Sequence, residues 1–146
     1  MRPGTQIPAA ILAAALLLVG CGEDTSSVSS VSASLLIPRQ LAEELTSITI
    51  YVIETDKETY KPDCTLLRGD TEAYKNAKVV KKKTVDFDIN GTSALIEGIP
   101  DRGRVWRFYA RGFNGETLIA HGCVDGVRDV PANDTIEVTI EIERTN

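Results

Sequence analysis

The chain reads as all-β: a single antiparallel β-sandwich of about seven or more strands. Three observations carry that reading. Short stretches alternate apolar and polar residues, which is the period of a strand with one buried face. Turn signals separate these stretches at about the 8–12-residue spacing of sandwich strands. The stretches are also rich in β-branched and aromatic residues, which suit a pleated, half-buried surface. Residues 135–143 show all of this most cleanly, with Ile136, Val138, Ile140 and Ile142 on one face and Glu137, Thr139, Glu141 and Glu143 on the other.

Taken in order, residues 31–37 form a first strand with Val31, Ala33, Leu35 and Ile37 on one side. Pro38 stops it. A short helical turn follows near residues 38–45, with Pro at its start and Leu41 and Leu45 one turn apart. Residues 47–54 are a strand that places Ile48, Ile50 and Val52 opposite Thr49 and Tyr51. Residues 64–67 read as a short strand. Residues 73–80 fit a short helix or a strand equally, and Lys81, Lys82 and Lys83 are solvated. Residues 85–89 and 93–97 flank Asn90-Gly91, the strongest short hairpin signal, because a type I′ turn needs positive φ at both positions. Residues 98–103 are a turn. Residues 104–113 are a long strand with Trp106, Phe108 and Ala110 together. Asn114-Gly115 turns the chain into residues 117–124, and residues 131–134 turn it into the last strand.

The start of the chain concerns location. One positive charge, Arg2, precedes an uncharged segment in which residues 9–19 are 11 consecutive Ala, Ile, Leu or Val. That is the length of a signal-peptide apolar region and short of the roughly 18 residues that span a bilayer. Leu18-Val19-Gly20-Cys21 then resembles the lipobox of bacterial lipoproteins, position by position. The resemblance implies that residues 1–20 are a leader cut before Cys21, that Cys21 carries lipid on sulfur, and that its new amine is acylated. It also implies a bacterial cell-envelope protein. Gly22, rather than Asp, after the cysteine looks like export to the outer membrane. Residues 21–30, rich in serine, read as a flexible tether. Residues 31–146 are the one domain that must fold.

The chain carries 16 Lys+Arg and 21 Asp+Glu, a net charge of −5 that becomes −6 once Arg2 leaves with the leader. An acidic surface speaks against a nucleic-acid partner. With Cys21 taken by lipid, Cys64 and Cys123 are an even pair in an oxidising compartment, where a disulfide is the default. A metal site from Cys64, His121 and Cys123 would lack a fourth ligand and the paired spacing of structural zinc.

Leu95-Ile-Glu-Gly98-Ile-Pro100, followed by Gly103, Trp106, Phe108 and Ala110 in a strand, resembles prealbumin-like and carboxypeptidase-regulatory-like domains. The resemblance covers about 50 residues. It implies a small Ig-type sandwich that spaces, adheres or binds, without cofactor and without catalysis.

Three patterns bear on chemistry. Residues 86–97 fit the calcium-loop pattern, with Asp86, Asp88, Asn90 and Glu97 as the oxygen ligands. The same residues also make a hairpin with Val85, Phe87 and Ile89 inward, and a calcium-dependent adhesive or glycan-binding module is the alternative function. Arg107, Tyr109 and Arg111 share the face opposite Trp106. They form either a cationic-aromatic strip for an anionic glycan or a partner protein, or partners for Glu137, Glu141 and Glu143 across strands. His121 is the single histidine, so a hydrolase would have to use it. The sequence thus predicts a lipid-anchored, non-enzymatic binding or spacer module, with an envelope protein or glycan as its partner.

Overall fold

A computed structural model describes residues 28–55, 58–59, 61–87, 93–100, 105–128 and 134–146. The described residues include seven strands: β1 (Val28–Leu36), β2 (Ser47–Glu54), β3 (Lys78–Asp86), β4 (Ser93–Pro100), β5 (Val105–Asn114), β6 (Thr117–Arg128) and β7 (Thr135–Arg144). They are ordered β3-β2-β5-β6-β7-β1-β4. All neighbours are antiparallel except β1 and β7, which run parallel from Ser30↔Thr135 to Leu36↔Glu141. The all-β class holds, with that one pair departing from the antiparallel expectation.

The sheet bends at β6 and β7, which share only the pairs Ala120↔Arg144, His121↔Glu143 and Gly122↔Ile142. Gly122 permits the close approach there, since a Cβ at this position would run into the carbonyl oxygen of Glu141 and the side chains of Ile140 and Ile142. The bend turns β7, β1 and β4 against the other four strands. Their alternating residues interlock in one core: Val31, Ala33, Leu35, Ala94, Ile96, Val138, Ile140 and Ile142 meet Ile48, Ile50, Val52, Trp106, Phe108 and Ala110. The 2-residue strand period thus becomes a two-layer sandwich.

Local chemistry explains the ends of the elements. Pro38 precedes α1 (Arg39–Ala42), a single turn held by Leu41 and Leu45, both buried. The β5–β6 turn is centred on Gly115 and Glu116, with Gly115 at φ 58°. This is one residue later than the Asn114-Gly115 reading.

Several expectations change. First, β1 begins at Val28, inside the segment read as tether, because Ser29 pairs with Ile99 and is buried. Second, residues 64–67 are helical: α2 (Cys64–Gly69) starts at Asp63, whose side chain accepts a hydrogen bond from the Leu66 amide at 2.8 Å. Third, residues 73–80 contain both alternatives in succession, a 3-10 turn over Ala73–Asn76 and then the start of β3. Fourth, the strands around Asn90-Gly91 do not form a hydrogen-bonded hairpin among the described residues. β3 pairs with β2 and β4 pairs with β1, at opposite ends of the strand order. Val85 and Phe87 are half-buried and Ala94 and Ile96 buried, but both strands found their partners elsewhere in the chain. β4 also continues through Gly98 to Pro100, where the sequence suggested a turn.

Candidate functional site

The outer face of the β3-β2-β5-β6 half would be an open surface if the sheet alone decided it. Instead α2 and the 3-10 turn fold back across it and cover a second, smaller cluster: Tyr51, Ile53, Cys64, Leu67, Tyr109 and Cys123. The Cys64–Cys123 disulfide fastens the start of α2 to β6, with the two Cα atoms 5.6 Å apart. Asp125 adds to this junction. Its Oδ1 accepts the Cys64 amide at 3.1 Å and lies 3.2 Å from Arg107 Nη1.

Arg107, Tyr109 and Arg111 therefore do not form an exposed strip. All three are buried, Tyr109 completely. Their charge partners are not Glu137, Glu141 and Glu143 either. Arg107 Nε donates to the Pro62 carbonyl at 3.3 Å. Arg111 donates to Glu72 Oε1 at 2.7 Å and to the Tyr74 hydroxyl at 2.9 Å. Its guanidinium also stands 4.6 Å over the Tyr74 ring, within cation–π range. Tyr51, Tyr74 and Tyr109 pack as a tilted trio with centroids 4.5–6.4 Å apart. The Glu72 carboxyl is held below its ordinary range, first by hydrogen bonding to Lys75 and then by the Lys75 and Arg111 charges. The arginines thus hold the lid, a role that sequence spacing alone does not show.

Burial pushes the Tyr109 phenol up to about 12, although the Arg111 charge opposes this. Its hydroxyl is buried with no hydrogen-bond partner among the described residues, which costs free energy rather than supplying it. Tyr109→Phe is therefore expected to stabilise the protein by about 1 kcal/mol at neutral pH. The raised pKa gives stability that is present below about pH 10 and lost as pH rises toward 12. The variant should lose that alkaline decline. Denaturant titrations at neutral and alkaline pH check both points, and a destabilised Tyr109→Phe at neutral pH would contradict them.

Beside the disulfide, the lid leaves a cleft of about 620 Å³, lined in part by Arg68, Asp70, Thr71, His121, Glu143 and Arg144. Arg68 Nη2 donates to the Cys123 carbonyl at 3.3 Å, while its Nε and His121 Nε2 each lie 3.4 Å from Glu143 Oε1. Arg144 is paired with Glu44. The cleft thus presents guanidinium, carboxylate and imidazole groups for polar recognition. His121 is buried at its wall. Burial lowers its pKa, with the nearby Arg68 charge adding and Glu143 opposing. Protons consequently bind the unfolded chain more readily. Stability is complete above the unfolded value of about 6.5 and declines as pH falls below it. His121→Asn should flatten the melting-temperature profile just below pH 6.5, and an unchanged profile would remove His121 as the cause.

Cys21, Asp88 and Asn90 fall outside the described residues. Asp86 and Glu97 are exposed on β3 and β4. Among the described residues, no three His, Cys, Asp or Glu side chains are grouped to hold a metal. Cys64 and Cys123 are joined to each other, so neither offers a thiolate.

The chain shares its fold with a secretion-system pilotin. That structure is an alternative pilotin from the type II secretion system of Vibrio cholerae, matched with a TM-score of 0.56 at 12% identity over 82% of this chain and 98% of that one. Weaker likenesses are to the T6SS lipoprotein TssJ1 from Pseudomonas aeruginosa, with a TM-score of 0.36 at 16% identity over 80% and 94% of the two chains. The RahU protein gives a TM-score of 0.32 at 8% identity over 81% and 96%. No protein-family model and no curated protein matches the sequence.

Proposed function

We propose that this chain is a non-enzymatic bacterial envelope lipoprotein that serves as a partner module of a secretion assembly. It is held to the outer membrane by lipid on Cys21. The fold shared with a pilotin over nearly the whole of that protein carries the reading. The lipobox-like Leu18-Val19-Gly20-Cys21 points the same way independently. In this reading the sandwich is a rigid platform. The disulfide-fastened lid and its polar cleft are the face offered to a protein partner, rather than the buried Arg107–Tyr109–Arg111 row.

Mass spectrometry of the mature amino-terminal peptide tests the anchor: Cys21 should carry diacylglycerol and an amide-linked acyl chain. An unmodified Cys21 rejects it. A deletion strain tests the role. It should lose export through its secretion system and regain it with the wild-type gene but not with Cys21→Ala. Undiminished export rejects the secretion role while leaving the anchor standing.

A further inference from the structure

All seven lysines of the chain fall between residues 57 and 83, and four of them are on β3. β3 is the end strand of the sheet. Lys78 is paired with Glu54 at 2.9 Å. Lys81, Lys82 and Lys83 are exposed, and no carboxylate pairs with them among the described residues. Their register opposite Val52, Tyr51 and Ile50 sends them alternately to the two sides of the edge. In a chain of net charge −5 this is a concentrated basic strip.

Its position is informative. β1 begins beside the end of β4, with Val28↔Pro100 and Ser29↔Ile99 paired. The Lys81 ammonium lies over the neighbouring residue Gly98, 3.0 Å from where a Cβ there would stand. The strip therefore borders the seam at which the chain enters the fold. Cys21 lies seven residues before Val28. Fully extended, those residues reach about 25 Å at most.

We propose that Lys81, Lys82 and Lys83 contact the anionic phospholipid headgroups of the bilayer that holds the anchor. This rests on the lipid-anchor reading of Cys21. The short tether keeps the strip near the surface. Near an anionic membrane, each lysine adds roughly fivefold to the partition. An acidic polypeptide also complements the strip, but lysines along an edge strand oppose the strand pairing such a peptide would use. The contact would orient the domain with the β3–β4 seam toward lipid.

The full chain as the host cell processes it, mixed with vesicles of phosphatidylcholine alone or with phosphatidylglycerol added, tests this by lysine acetylation read by mass spectrometry. Acetylation of Lys82 and Lys83 should slow by about fivefold or more on the anionic vesicles, and the difference should vanish in high salt. Equal rates on both vesicles overturn the proposal. So does protection by polyglutamate on neutral vesicles without protection by anionic lipid, which assigns the strip to a polypeptide. Flotation separates the two readings. A chain that floats only with anionic vesicles, with its lysines protected, supports the lysine contact and overturns the lipid anchor.

Discussion

Replacing both disulfide cysteines, Cys64→Ser with Cys123→Ser, is expected to lower the unfolding free energy by about 4 kcal/mol in the chain-entropy account. The bond closes a loop with a sequence separation of 59, so the reduced unfolded chain regains much conformational freedom. In a domain of this size the melting temperature should fall by roughly 15 °C. The structure adds a local consequence. Cys64 is the first residue of α2, and α2 roofs Tyr109. Hydrogen exchange should therefore quicken first in α2 and the 3-10 turn, before the strands that bury Phe108. Calorimetry and exchange on the double variant check both parts. A loss below about 1 kcal/mol would mean that the polar contacts of Asp125 and Arg107 hold the lid alone.

The second large effect belongs to the core. Phe108→Ala should cost about 3–5 kcal/mol, the range for removing a buried aromatic ring. Phe108 is fully buried at the centre of β5, between Val52 of β2 and Val124 of β6, and it packs in the cluster that joins the two layers. No polar group replaces what is lost, and strands on three sides limit collapse into the space. Equilibrium denaturation gives the value directly. A cost under about 1.5 kcal/mol would show that the site repacks.

These two positions differ in how plainly the sequence announces them. Phe108 sits in an alternating run with Trp106 and Ala110, and its burial follows from the period alone. The disulfide pairing needed only a cysteine count and a compartment. Arg107, Tyr109 and Arg111 were harder. Alternation correctly placed them together, opposite Trp106. It could not show that they are covered, because their cover comes from residues 64–76, some 30 to 50 positions earlier. The one local signal was Asp63, an N-cap directly before Cys64, which marks a helix start. The polar cleft was less legible still. It gathers Arg68, His121 and Glu143 from three distant segments, and nothing in their spacing links them.

The sequence by itself determined most of the strands, which side of each is apolar and which cysteines pair. All of these are local properties, or simple counts. Tertiary structure decided the partners. It set β1 parallel to β7, sent β3 and β4 to opposite ends of the strand order despite the Asn-Gly between them, and folded a helical lid over a row that strand alternation alone leaves uncovered. A strand's two-residue period specifies a face and says nothing of the neighbour. Neighbours are chosen by which faces can be buried together across the whole chain.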